Sequence, residues 1–126
     1  LSGYLWLAAC LDRESPNGTL ASAFNFGPSL DSNRTVAALV VEILKHWDGR
    51  WEDLSDPHAV HEANLLNLAT DKAFHHLGWR PVWSFEETIE RTVHWYKNAN
   101  SAAALTSHQI ASYSARAAEM LIPWAR

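Results

Sequence analysis

The stretch that decides the fold is LSGYLWLAACLDR, residues 1–13. It predicts a helix over residues 2–14 whose apolar side chains, from Tyr4 to Leu11, lie on every side. A helix that is apolar all round is normally buried on all sides. The first element of a 126-residue chain is hard to cover so completely. We therefore expect a missing layer of protein, or a partner chain, to cover one face of this helix.

Composition excludes several classes of protein. The 48% hydrophobic and 19% charged residues argue against disorder, and a net charge of −4 provides no overall positive field for nucleic acid. No apolar stretch approaches the ~20 residues of a membrane span, and no signal peptide is visible. Cys10 is the single cysteine and forms no internal disulfide. We expect a small cytoplasmic domain, or a piece of one, with no nucleic-acid or membrane partner.

Three short strands are predicted between the helices. Residues 23–26 favour a strand because Phe24 and Phe26 would share one face, with Asn25 on the other. Further strands are expected around 51–54 and at 65–68, on either side of a loop that begins at Pro57.

The clearest amphipathic helix spans residues 36–47. Ser32 or Asn33 is expected to cap its start. Its apolar face is formed by Val36, Leu39, Val40, Ile43, Leu44 and Trp47, and its polar face by Glu42, Lys45 and His46.

Capping signals locate the other helices. A short helix is expected from Thr70 to Leu77, with Gly78 in the left-handed position after it. Capping boxes at 84–87 and 106–109 predict helices that run to about residue 98 and to Pro123. The side chains expected to be buried on these two helices are Phe85, Ile89, Val93, Tyr96, Ile110, Tyr113 and Ala117.

No complete catalytic set is present. His58 and His61 could hold a metal if a third ligand converged. The order His-x-x-His-Glu, which ends at Glu62, differs from known zinc motifs and favours a polar loop. The pair at 75–76 is explained by the dipole at a helix C-terminus. Burial would raise the pKa of Cys10, and there is neither a serine elbow nor a glycine-rich phosphate loop. These residues favour a binding or assembly domain without a metal.

The seven tryptophans have two interpretations. Trp51, Trp79 and Trp83 can stack on a sugar or a base, or they can supply core area to a small domain. Packing is favoured for most of them.

A set of motifs in a fixed order resembles a known family. They are LSGYL at 1–5, NFGP at 25–28, HEA at 61–63, KA at 72–73, LGWRP at 77–81, TVHWYK at 92–97 and LTSHQIASY at 105–113. Together they resemble the C-terminal portion of the CDP-glucose 4,6-dehydratases, which are extended short-chain dehydrogenases/reductases acting on a nucleotide sugar.

The resemblance implies a helix-rich α/β fold: the C-terminal substrate-binding lobe with the last Rossmann helix and strand, lacking the NAD-binding half. Residues 1–30 would be the Rossmann remnant and 31–126 the small nucleotide-sugar-binding domain. The family's NAD-binding glycine turn and its Tyr-x-x-x-Lys pair are missing, because Ala8 and Asn100 follow Tyr4 and Tyr96 at the lysine position. We therefore expect no catalytic residue and no cofactor in this chain.

Two hypotheses follow. In the first, the chain contributes nucleotide-sugar contacts, and the candidate residues are His58, His61, Glu62, Asn64 and Asn25. In the second, it is a stand-alone interaction module that forms a homo-oligomer through the apolar helix at residues 2–14.

Overall fold

The computed structural model describes residues 1–14, 18–56 and 67–125. These ranges contain five α-helices: α1 (Ser2–Arg13), α2 (Val36–Leu44), α3 (Asp71–Leu77), α4 (Phe85–Lys97) and α5 (Ala102–Glu119). Single 3₁₀ turns lie at Leu30–Ser32, Ala99–Ser101 and Pro123–Ala125. No helix within the described ranges is long and apolar enough to cross a membrane.

The three predicted strands are not found in the described ranges. Residues 23–26 and 51–54 form no ladder, and the third segment lies partly outside the description. A strand needs a hydrogen-bonded neighbour, and none of these ranges supplies one. Instead, the rings of Phe24 and Phe26 pack against the cluster formed by Ala73, Leu77 and Trp79. The described part of the chain is therefore helix-rich, without the expected sheet.

The helix α1 is covered on one face only. Trp6, Leu7 and Cys10 pack against α3, and the Trp6 indole N–H donates to the Leu77 carbonyl oxygen at 2.7 Å. Gly3 is buried, and a Cβ at this position would overlap the Phe26 ring. The other face carries exposed apolar residues, with Tyr4 and Leu5 65% and 64% exposed. The described residues thus leave part of this apolar helix uncovered.

The helix α3 ends as its sequence predicts. Gly78 adopts the left-handed conformation (φ 61°), and its N–H donates to the Phe74 carbonyl oxygen at 2.9 Å. The chain then turns so that Trp79 enters the first cluster and Val82 the second. Trp124 packs against both clusters and joins the two halves of the core.

The helix α2 ends at Leu44 rather than at residue 47, and it differs from its prediction in three further respects. Thr35 caps it, accepting from the Ala38 N–H at 3.1 Å, so neither Ser32 nor Asn33 does. Glu42 is buried (8% exposed), although it was expected on the polar face. The Lys45 ammonium lies 2.5 Å from the Glu42 carboxylate, which compensates part of the cost of burying a charge. Val36 and Trp47, expected to be buried, are exposed.

The helix α4 starts at the predicted capping box. Ser84 accepts from the Glu87 N–H, and the Glu87 carboxylate accepts from the Ser84 N–H at 2.9 Å. Val93 is buried as expected, but Tyr96 is exposed. Tyr96 nevertheless lies on the side of α4 that meets α2, where it lines a cavity together with Ile43 and Trp47.

The helix α5 begins earlier than predicted. Residues 99–104 continue from a 3₁₀ turn directly into the helix, so the box expected at Thr106 and Gln109 does not form. Thr106 accepts instead from the Trp95 indole N–H at 3.0 Å, and Gln109 donates to the Arg91 carbonyl oxygen at 2.9 Å. Ala117 is buried, whereas Ile110 is exposed.

Candidate functional site

Of the predicted sugar-contact residues, Asn25 lies within the described ranges. The Asn25 amide donates to the Ala69 carbonyl oxygen at 3.3 Å, and the side chain is exposed. Beyond it, Gly27 approaches Leu68, where an added Cβ would lie 3.5 Å from the leucine Cβ. The segment at 23–27 therefore runs beside residues 67–70.

Lys72 lies in this region, although it was not among the predicted site residues. Its ammonium donates to the Ser22 hydroxyl and to the Ala23 carbonyl oxygen, both at 2.9 Å. It also lies 4.5 Å from the centroid of the Phe24 ring, a cation–π geometry. These contacts connect α3 to the segment before Asn25. This lysine belongs to the KA motif at 72–73, so the sequence contained a reason to consider it.

The other four candidate residues, His58, His61, Glu62 and Asn64, lie outside the described residues. Both the sugar-contact and the metal interpretation of that segment therefore stay predictions. On its N-terminal side, Asp53 accepts from the Ser55 N–H at 2.9 Å and from the Ser55 hydroxyl. These hydrogen bonds, chiefly the one from the hydroxyl, lower the pKa of Asp53.

The environments of the other side chains considered for chemistry, Cys10, His75 and His76, are those of structural residues. Burial raises the pKa of Cys10, as expected for a thiol in an apolar helix. His75 and His76 lie in the last turn of α3, where His76 meets the Phe24 ring edge-to-face at 6.3 Å. Over the residues that the structure describes, no group of three or more His, Cys, Asp or Glu side chains could hold a metal ion.

Most of the nominated tryptophans serve packing. Trp79 is buried, and Trp83 packs edge-to-face on Tyr113 with ring centroids 4.9 Å apart. Trp51, in contrast, is exposed. Of the three tryptophans considered for stacking on a ligand, Trp51 is the most exposed, at 43%.

Comparison with known proteins yields two similar enzymes. The chain is 36% identical over 99 residues to the CDP-glucose 4,6-dehydratase of Salmonella typhimurium, an alignment that covers 77% of this chain and 27% of that enzyme. It is 35% identical over 51 residues to the 3 beta-hydroxysteroid dehydrogenase type 7 of Rattus norvegicus, covering 40% of this chain and 15% of that enzyme. The chain thus spans about a quarter of the dehydratase.

The chain is thus similar to a part of each of these two enzymes. No family model matches the chain, and no solved structure matches it.

Proposed function

We propose that this chain is the substrate-binding C-terminal portion of a protein similar to the NAD-dependent CDP-glucose 4,6-dehydratases, and that by itself it is not catalytic. The observation that carries the proposal is the 36% identity over 99 residues to a dehydratase of which the alignment covers only 27%. Residues 1–30 would then be the end of a Rossmann domain, and residues 31–126 the domain that contacts the nucleotide sugar.

The surface of the first 30 residues supports this division. The helix α1 leaves Tyr4, Leu5 and Leu11 exposed, and the extended segment at 23–26 has no partner strand in the described ranges. A sheet of parallel strands needs helices on both faces. The uncovered face of α1 and the unpaired segment are the features expected where such a sheet would continue.

On this proposal the chain itself does not bind NAD. The described helices α2 and α4 are capped by Thr35 and Ser84, and neither start has a glycine-rich turn for a diphosphate. Gly3 lies within α1 against Phe26, and Gly78 ends α3. Oxidation and return of a hydride would therefore need protein that these 126 residues do not supply.

Calorimetric titration tests the proposal. We expect CDP-glucose to bind, NAD not to bind, and no dehydratase turnover. Asn25→Ala and Glu62→Gln should each weaken CDP-glucose binding about tenfold, the effect of one lost hydrogen bond to a charged or polar group. His75→Gln is the matched control, because it changes an exposed polar residue of α3 outside the proposed site. Micromolar NAD binding, or CDP-glucose affinity that is unchanged in both site variants, would contradict the proposal.

A second candidate function is a homo-oligomeric interaction module. The exposed apolar face of α1, with Tyr4, Leu5 and Leu11, is the observation that favours it, because contiguous apolar surface of a few hundred Å² commonly marks an interface. Light scattering of the chain and of Leu5→Glu should then give an oligomer and a monomer respectively. Asp12→Asn is a control on the same helix. A chain that is monomeric at high concentration excludes this candidate.

A further inference from the structure

A cavity of about 520 Å³ lies between α4 and α5, beside the residues that follow α2. It shares no residue with the region around Asn25 or with the predicted sugar contacts. Five nitrogen-bearing basic side chains from three parts of the chain line it, together with one carboxylate. They are His46, Arg91, His94, Lys97 and His108, with Glu90 as the acid.

Two of the cationic residues are held in place by the fold. The Lys97 ammonium donates to the His46 carbonyl oxygen at 3.0 Å, which joins the end of α4 to the end of α2. The Arg91 guanidinium lies 4.6 Å from the centroid of the Trp83 ring. Gln109, from α5, donates to the Arg91 carbonyl oxygen. The wall of the cavity is therefore preorganised by contacts within the chain.

Two of the histidines are available to a ligand. The side chains of His94 and His108 are exposed and make no hydrogen bond within the part of the chain that the structure describes. Together they offer N–H donors from α4 and from α5 across the same cavity. Arg91 and Lys97 add two permanent charges against the single charge of Glu90, so the lining is positive in a chain whose net charge is −4.

The helix dipole accounts for only part of this cluster. His94 and Lys97 lie in the last turn of α4, where a cation is favoured by about 0.3–1 kcal/mol. Arg91 lies in the middle of α4 and His108 in the middle of α5, so the dipole does not explain why they face the same cavity. Convergence from two helices is the feature typical of a binding site for an anion.

We propose that this cavity binds the phosphate group of a phosphorylated small molecule. Arg91 and Lys97 supply the permanent charge, while His94 and His108 donate hydrogen bonds to the phosphate oxygens. The proposal is independent of the function proposed above, because the residues involved are different.

The charged groups around the cavity favour an anion. The charged or titratable groups around the cavity are Glu42, Lys45 and His46 on and after α2, Glu90, Arg91, His94 and Lys97 on α4, and His108 on α5. Glu42 is paired with Lys45 at 2.5 Å, so Arg91 and Lys97 are opposed by Glu90 alone.

Nuclear magnetic resonance titration tests the proposal with pyrophosphate as the probe. We expect saturable shifts of the amide signals of residues 90–98 and 105–112 at pH 6, with a dissociation constant of about 1 mM or lower.

Variants locate the site. His94→Gln with His108→Gln should weaken pyrophosphate binding about tenfold at pH 6. Both side chains are exposed, so the fold should persist, which circular dichroism checks. His75→Gln, on α3, is the matched control and should bind as the unchanged chain does. No saturable shift at pH 6, or the same loss in His75→Gln, would overturn the proposal.

Discussion

At the scale of the residue, two positions among the described residues adopt left-handed backbone, Gly78 with φ 61° and Leu121 with φ 55°. Leu121 follows α5, and a Schellman pattern surrounds it: Leu121 N–H donates to Ala118 O, and Ile122 N–H donates to Ala117 O, both at 3.0 Å. A side chain in this conformation costs about 1 kcal/mol or more, and glycine avoids that cost.

We therefore expect Leu121→Gly to raise the free energy of unfolding by about 1 kcal/mol. The leucine is 64% exposed, so little apolar burial is lost with it. Urea denaturation measures the change. Leu121→Ala keeps the strained conformation and should give no gain, so an equal gain from both variants would contradict the argument.

The reverse substitution, Gly78→Ala, should destabilise the protein by about 2 kcal/mol. An alanine there would be left-handed, and its Cβ would lie 2.7 Å from the Pro123 Cγ. Urea denaturation tests this expectation. An unchanged midpoint of unfolding would contradict it and would mean that Pro123 moves aside at no cost.

The carboxyl of Asp53 gives a pH prediction. Its lowered pKa contributes stability above about pH 4, and that contribution is lost as the pH falls through the depressed value. Ser55→Ala removes the hydroxyl donor, the largest cause of the shift. We expect the pKa of Asp53 to rise toward its usual value, as followed by the carboxyl carbon signal in a nuclear magnetic resonance titration. Ser32→Ala, on a separate 3₁₀ turn, should leave that pKa unchanged.

At the scale of the element, α4 and α5 show what a capping motif does and does not determine. The box at Ser84 and Glu87 forms, whereas the same spacing at Thr106 and Gln109 lies inside α5. The preceding residues decide the difference. Small residues at 102–104 allow the helix to start early, and tertiary partners then occupy the Thr106 hydroxyl and the Gln109 amide.

Ser84→Ala should accordingly lower the free energy of unfolding by about 1 kcal/mol, because the Glu87 N–H in the first turn of α4 loses its side-chain acceptor. Ser84→Asp retains an acceptor and serves as the control that should restore stability. Thermal unfolding followed by circular dichroism measures both. Equal loss in the two variants would assign the effect to something other than capping.

At the scale of the whole molecule, a short hydrogen-bonded chain connects the first helix to the last. The Trp79 indole N–H donates to the Ser2 hydroxyl oxygen at 3.2 Å, and that oxygen lies 3.0 Å from the Tyr113 hydroxyl. Ser2 and Tyr113 belong to α1 and α5. These two hydrogen bonds therefore connect α1 with α5 and with Trp79 of the first apolar cluster.

Tyr113→Phe should lower the free energy of unfolding by about 1 kcal/mol while keeping the ring that packs on Trp83 and Trp124. Ser2→Ala removes the other partner, so the double variant should cost less than the sum of the two. Strict additivity in urea denaturation would show that the hydroxyl pair contributes no coupling.

What the sequence by itself determined is local. Three features depend on neighbours within a few positions and formed as predicted: the end of α3 at Gly78, the start of α4 at Ser84, and the first helix, α1. Only the tertiary structure decided which faces are covered. Glu42 is buried beside Lys45, Tyr96 and Ile110 are exposed, and Phe24 and Phe26 join a core rather than a sheet. The reason is physical: burial depends on which distant surfaces meet, and helical spacing specifies a face without specifying what packs on it.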